Sequence, residues 1–211
     1  MSGISIVFPH LLNPENDRVL DLNLRMIREN TTCPYEVLFV ASTPRSDLVY
    51  TGLDWLMRNA AHDLILWHST DVLLAPGWNE NIILSAADGD WIGLELVECG
   101  QIGVAPTNIA RDFGITAATF RREEFEAWCA DQSKDRPAFR PGFSWFSPSV
   151  WRKQWYIDNG GFDCSKPFPN PNDEAFRYRV NLRQCRFIVA NSFAYHFQRA
   201  RENTGERPER K

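Results

Sequence analysis

The sequence predicts an α/β domain in which a mainly parallel sheet is covered by helices on both faces. Two observations carry this. Strand-like and helix-like runs alternate through residues 4–68 in the order strand, helix, strand, helix, strand. The strand-like runs are short, apolar and closed by turn or proline signals, while the runs between them keep helical apolar spacing. That alternation is the grammar of right-handed βαβ crossovers.

Taken in order, residues 4–8 (ISIVF) read as a buried strand stopped by Pro9. Asn13-Pro14-Glu15-Asn16 opens a helix whose apolar stripe is Val19, Leu20, Leu22, Leu24, Met26 and Ile27, up to Asn30. Residues 36–41 (EVLFVA) form the second strand, broken at Ser42-Thr43-Pro44. In the next helix Leu53, Leu56, Met57 and Ala60 stand at i, i+3, i+4 and i+7. Residues 63–68 (DLILWH) are the third strand. A break follows over 69–78, with Pro76-Gly77 as a turn; 78–85 then reads as a short helix and 91–96 as a strand.

Residues 98–142 hold the weakest pattern: 121–130 is helical by composition and 131–141 a polar loop with two prolines. Ser147-Pro148 marks a helix start with proline in the first turn, the helix running to Asn159-Gly160-Gly161. A proline-rich loop, 163–172, leads into a charged helix over 172–184. Residues 186–190 and 193–197 are the last extended pieces. The domain is read as 1–198. Residues 199–211, with five basic and three acidic residues and no apolar period, are read as a flexible charged tail.

Composition narrows the function classes. A chain of 211 residues with 44% hydrophobic and 24% charged residues has a globular balance and can bury a core without a metal or disulfide staple. A net charge of −4 is no footprint of a general polyanion binder. No apolar stretch is long enough for a transmembrane helix, and the first residues lack the basic and apolar regions of a signal peptide. Five widely spaced cysteines without a Cys-x-x-Cys pair read as reduced thiols, chiefly core filler, and the expected location is cytoplasmic. Eight tryptophans are a surplus that serves either a core or a stacking surface for sugars or bases.

In an open α/β sheet, ligands sit at the carboxyl ends of the parallel strands. Three such ends are readable: Pro9-His10, Ala41-Ser42-Thr43 and His68-Ser69-Thr70-Asp71. None is a glycine-rich phosphate cradle, which disfavours dinucleotide and P-loop chemistry. Asp71 can hold a divalent cation against a diphosphate, or merely cap the turn into Pro76-Gly77. Asp173 can serve as a general base, or complement a helix dipole. His196, inside Phe193-Ala-Tyr-His-Phe197, can be a ligand or a core residue.

In order along the chain, these segments resemble the family-2 type of GT-A glycosyltransferases. Ile4-Ser-Ile-Val-Phe-Pro9 is similar to the family's opening strand. Arg58-Asn59-Ala60-Ala61 followed by Asp63-Leu-Ile-Leu resembles its helix-to-strand passage. Ser69-Thr70-Asp71, ahead of Pro76-Gly77, falls on the metal-binding Asp-x-Asp, and Gly160-Gly161-Phe162-Asp163 looks like the Gly-Gly-Phe-Asp loop. Asn172-Asp173 falls on the Glu-Asp pair, with Phe176 and Arg179 in register behind it, and His196 on the late histidine that completes the metal site. The resemblance covers about residues 4–97 and 142–197. The chain departs from the pattern at Ser69 and Asn172, where carboxylates are expected, and at Ser42, where many members carry an aspartate that reads uracil. The Gln-x-x-Arg-Trp signature of processive members is absent.

The resemblance implies a metal-dependent, inverting enzyme that moves one sugar from a nucleotide-sugar, with a UDP-sugar the first expectation, to a hydroxyl acceptor. It implies Mn2+ or Mg2+ on Asp71 and His196, with the donor contacted by Pro9, His10, Ser42, Arg58, Ser69 and Asp71. It further implies Asp173 as base and an acceptor side made by Trp145, Phe162, Asp163 and Glu174. The acceptor class is a glycan or another hydroxyl compound. A hydroxymethylated DNA base is a second acceptor, for which the basic tail is suited. An inactive sugar-binding module on the same scaffold is a third reading, suggested by Ser69 and Asn172.

Overall fold

The computed structural model describes residues 3–42, 48–100, 104–143, 147–162, 172–181 and 185–197, without the side chains of 48, 172–174, 178 and 181. The first strand, β1 (Ile4–Leu11), leads to α1 (Pro14–Asn30), β2 (Tyr35–Ser42), α2 (Leu48–Asn59) and β3 (Leu64–Trp67). Then come β4 (Val72–Leu74), α3 (Trp78–Ser85), β5 (Trp91–Glu98), β6 (Ile109–Ala110) and α4 (Arg122–Ser133). The chain continues through β7 (Phe139–Pro141), β8 (Ser149–Arg152), α5 (Lys153–Asp158), α6 (Asn172–Asn181) and β9 (Phe187–His196). The strands form one sheet in the order β2-β1-β3-β8-β5-β9-β4, with β6 beside β5 and β7 beside β9. Its longest ladders, β1–β2 and β5–β9, are parallel; the short β4, β7 and β8 run antiparallel to their neighbours.

The expected strands and helices of the first 68 residues are present, with one informative extension. Pro9 does not stop β1, which stays paired with β2 as far as Leu11↔Ser42. The β1–β3 ladder ends at Val7↔Trp67, and the last bond on that side is His68 N–H to the Val7 carbonyl, 3.2 Å. Pro9 faces the same side one pleat later, beyond β3, so its missing N–H costs the ladder nothing. Helix α1 begins as expected: the Asn13 side chain accepts from the Asn16 amide at 2.9 Å, and Pro14 occupies the first turn.

Further along, tertiary context overrides local signals. The helix expected from Ser147-Pro148 to Gly161 is half strand: β8 fills the slot between β3 and β5, with Val150 and Trp151 fully buried, and only α5 is helical. A β-branched residue and an indole suit that two-sided slot. The break after 68 contains β4, the polar loop over 131–141 ends in β7, and the two late extended pieces are one strand, β9. The charged helix is α6 as far as Asn181, and residues 182–184 and the tail 199–211 lie outside the described residues.

The core has two faces. On one, Ile4, Ile6 and Phe8 meet Leu66, Leu94 and Leu96 under α1 and α3. On the other, Trp67, Trp91, Trp151, Tyr156, Phe162 and Phe176 form an aromatic block under α2, α5 and α6, and a further cluster around Phe125 and Tyr195 seats α4. The tryptophan surplus therefore serves chiefly the core, although Trp55 is 62% exposed. Cys33, Cys99, Cys129 and Cys185 are free thiols, the first three buried.

Candidate active site

The carboxyl ends of β1, β2, β3 and β5 gather at one end of the sheet, and the turn 68–71 is held there from several sides. Thr70 Oγ1 donates to the Pro9 carbonyl at 2.6 Å, and Asn23 Nδ2 of α1 donates to the Thr70 carbonyl at 2.8 Å. The Phe197 amide donates to the Asp71 carbonyl at 3.2 Å, and Ser69 Oγ to Asp71 Oδ1 at 2.5 Å. A turn pinned this way presents the Asp71 carboxylate in one orientation.

Antiparallel pairing of β4 with β9 sets Val72 opposite His196, and parallel pairing of β5 with β9 sets Glu98 opposite the same residue. His196 consequently lies between two carboxylates, with Nε2 3.3 Å from Asp71 Oδ2 and Nδ1 3.3 Å from Glu98 Oε1. Burial alone would lower the His196 pKa, but the charges and hydrogen bonds of Asp71 and Glu98 override it and push it up to about 10. Burial likewise opposes ionisation of Asp71, and the His196 charge overrides that, holding the carboxyl well below its usual range. Glu98 is also lowered, its burial outweighed by the hydrogen bond to His196. His68 behaves oppositely: burial brings it down to about 4, so the ring is neutral, and its Nδ1–H donates to the Ser69 carbonyl at 2.7 Å.

Whether these residues suit a divalent cation is a question of donors. Among the described residues no group of three His, Cys, Asp or Glu side chains is arranged as a metal site. Asp71 and His196 nevertheless supply one oxygen and one nitrogen facing each other, and Glu98 holds the far nitrogen, the usual outer partner of a metal-ligating histidine. Two protein ligands leave positions open for diphosphate oxygens, which suits Mg2+ or Mn2+. The donor set fits such an ion once His196 gives up its proton.

Beside this cluster, His10 is buried and its Nε2–H meets Asp17 Oδ1 at 3.0 Å, leaving Nδ1 without a partner. Ser42, also buried, has an unpartnered hydroxyl. Ser69, Asp71 and His196 are thus in contact, with Pro9 tied to their turn through Thr70, while His10 and Ser42 stand at the neighbouring ends of β1 and β2. Arg58 is placed elsewhere, in a clamp on the Gly160-Gly161-Phe162 segment: Nε meets Asp54 Oδ2 at 2.6 Å and Nη2 the Gly160 carbonyl at 3.4 Å. Asp54 Oδ1 also accepts from Tyr156 Oη at 2.7 Å and from the Phe162 amide at 3.2 Å, and Arg179 of α6 donates to the Gly161 carbonyl. Gly161 adopts φ +58°, and a Cβ there would collide with Asp54 and Arg58, so both the conformation and the space exclude a side chain.

Phe162, expected on the acceptor side, is 3% exposed; its ring meets Trp67, Tyr156 and Phe176 edge-on and belongs to the core. Trp145 and Asp163 lie outside the described residues, as do the side chains of Asp173 and Glu174. The backbone of Asp173 and Glu174 forms the first turn of α6, which Phe176 anchors by stacking on Trp91 with centroids 5.9 Å apart. The sequence reading missed Glu98 and Asp54. A carboxylate closing an apolar strand, and one four residues before Arg58 on a helix, were the available signals.

No family model matches the chain, and no curated protein sequence matches it. Solved structures do. A TarS fragment (1–349) of S. aureus aligns at a TM-score of 0.60 and 12% identity, over 92% of this chain and 60% of that one. The same fragment in complex with UDP aligns at 0.58 and 13% identity, again over 92% and 60%. GalNAc-T7, solved with UDP, GalNAc and Mn2+, aligns at 0.58 and 9% identity, over 93% of this chain and 44% of that one. The chain therefore spans 44 to 60% of the length of these structures. These neighbours are GT-A glycosyltransferases, and the GT-A fold implied by the sequence resemblance is the fold observed.

Proposed function

We propose that this chain is a metal-dependent, inverting glycosyltransferase that moves a single sugar from a nucleotide-sugar to an acceptor hydroxyl. The observation that carries the reading is the Asp71–His196–Glu98 chain at the carboxyl end of a GT-A sheet, where donor diphosphates meet their cation. UDP in one TarS structure, and UDP with Mn2+ in GalNAc-T7, favour a UDP-sugar donor. The cation, when bound, neutralises charge developing on the leaving diphosphate. Asp71 and His196 would hold it, with Glu98 orienting His196. His10 and Ser42 offer unpartnered polar atoms at the donor end.

Asp173, in the first turn of α6, is the residue assigned to remove the acceptor proton, since a sugar hydroxyl is far too weak an acid to attack unaided. Direct attack then inverts the anomeric centre. The DNA acceptor gains no support, since the basic tail that suits it lies outside the described residues. Among those residues no helix is long and apolar enough to cross a membrane.

The reading is tested by thermal shift with UDP and UDP-sugars, with and without Mn2+. A ligand bound only by the folded state raises Tm by mass action. Wild type should show a Mn2+-dependent rise that Asp71→Ala lacks. Equal responses in the two proteins would return Asp71 to a turn-capping role and leave the inactive-module reading in place.

A further inference from the structure

The sheet ends on two borders that the chain treats differently. On one side the last strand is β4, three residues long and buried. On the other it is β2, eight residues long, with Phe39 42% exposed and Ala41 exposed beside it. A long edge strand presents N–H and C=O groups that another strand can take up. Chains ordinarily blunt such an edge with charge, proline, a bulge or brevity.

None of these devices protects β2. Its register with β1 runs unbroken from Tyr35 to Ser42, and it holds no proline and a single charge, Glu36. That charge is turned inward, where Glu36 Oε1 accepts from Ser5 Oγ at 2.6 Å and from the Ala61 amide at 2.5 Å. The Ile4 amide donates to the Pro34 carbonyl at 3.0 Å and the Leu12 amide to the Ser42 carbonyl at 2.9 Å. Residues 34, 36, 38, 40 and 42 thus direct their main-chain groups to β1, by the alternation of a parallel ladder. Tyr35, Val37, Phe39 and Ala41 direct theirs outward, and among the described residues no strand pairs with that side. The side chains of these four share one face, on which Tyr35 and Val37 pack against the core and Phe39 stacks on Phe8 with centroids 5.7 Å apart.

This edge is complementary to itself. An antiparallel pairing about a two-fold axis at Leu38 sets Tyr35 opposite Ala41 of a second copy and Val37 opposite its Phe39. These are the residues whose main-chain groups face out, so each such pair exchanges two hydrogen bonds. Residues directly opposite share a face, and phenylalanine against valine is a favourable cross-strand pair. Glu36 falls opposite Val40, so the two like charges do not meet. The two-fold consumes both open edges and closes the assembly, which a one-sided contact does not. We infer that β2 is a homodimer interface, joining two copies of this chain through antiparallel β2 strands into one continuous sheet. The inference stands on the edge alone and does not depend on the transferase reading. Because the paired strands run in opposite directions, the two candidate active sites lie at opposite ends of the joint sheet.

Sedimentation velocity from about 1 µM to about 200 µM, a range that reaches weak association, tests this on wild type, Phe39→Lys and Ala41→Pro. Phe39→Lys places on the edge the charge that protected edges carry. Ala41→Pro removes one outward N–H and leaves every bond to β1 in place, so either variant carries the test if the other fails to fold. Wild type should dimerise with rising concentration, and each folded variant should raise the dissociation constant about tenfold or more. Leu38→Cys checks the register. Leu38 would face its own copy in a pair without hydrogen bonds, where Cα atoms stand about 4.5 Å apart, within disulfide reach. Oxidised Leu38→Cys should run as a covalent dimer that wild type, with its own thiols, does not form. A wild type that stays monomeric overturns the inference and leaves β2 to a strand of another protein. A dimer of equal affinity in wild type and both variants, or a folded Leu38→Cys that does not crosslink, overturns it as well.

Discussion

Glu98 meets His196 alone within the proposed metal cluster, which makes it a positioning residue. Outer carboxylates of this kind change metal affinity by about 10–100-fold when replaced. Glu98→Gln should raise the Mn2+ concentration at the midpoint of the UDP-dependent thermal shift by about that factor; an unchanged midpoint would remove Glu98 from the site. Two tryptophans decide the use of the aromatic surplus. Trp151 is fully buried against Trp91 and Tyr156, so Trp151→Ala should cost about 3–5 kcal/mol in denaturant unfolding. Trp55 is 62% exposed, and its truncation should change stability by no more than about 0.5 kcal/mol. A large loss at Trp55 would contradict that surface assignment.

At the scale of elements, α2 positions the segment leading from α5 toward α6. Asp54 binds Arg58, the Tyr156 hydroxyl and the Phe162 amide together. Burial, with Asp54 close by, pushes the Tyr156 pKa up, so Tyr156 stays a neutral donor. Asp54→Ala strands these partners and should cost about 1–3 kcal/mol. By releasing Gly160–Phe162 it should also lower kcat for transfer while leaving donor KM nearly unchanged. A raised donor KM with kcat unchanged would assign Asp54 to the donor site instead. A second clip joins the starts of β5 and β9: Asp90 accepts from Arg186 Nη2 at 2.9 Å and from its backbone amide at 3.1 Å. The Arg186 hydrogen bond lowers the Asp90 pKa from its ordinary 3.8. A depressed carboxyl contributes stability above its unfolded pKa and loses it as pH falls through the folded one. The Tm gap between wild type and Asp90→Asn should therefore be full above pH 3.8 and close below it. A gap that persists in strong acid would show that the clip does not act through charge.

Across the whole molecule, one end of the sheet, where β1, β2, β3 and β5 finish, carries Asp71, His196 and Glu98 together. What the sequence by itself determined is the part written in local periodicity. The βαβαβ opening, α1 with its Asn13 cap and α3 at 78–85 were legible, because apolar spacing and caps act over a few residues, whereas Asp71 and His196 were pointed to only by the resemblance to a family. Only the tertiary structure decided the rest. Val150 and Trp151 became strand because the slot between β3 and β5 is buried on both sides, and Pro9 stayed in β1 because β3 had already ended. Glu98 and His196 meet across 98 residues of chain, through a register that no local pattern encodes. Local spacing selects elements, whereas sheet order and burial select which distant side chains share a site.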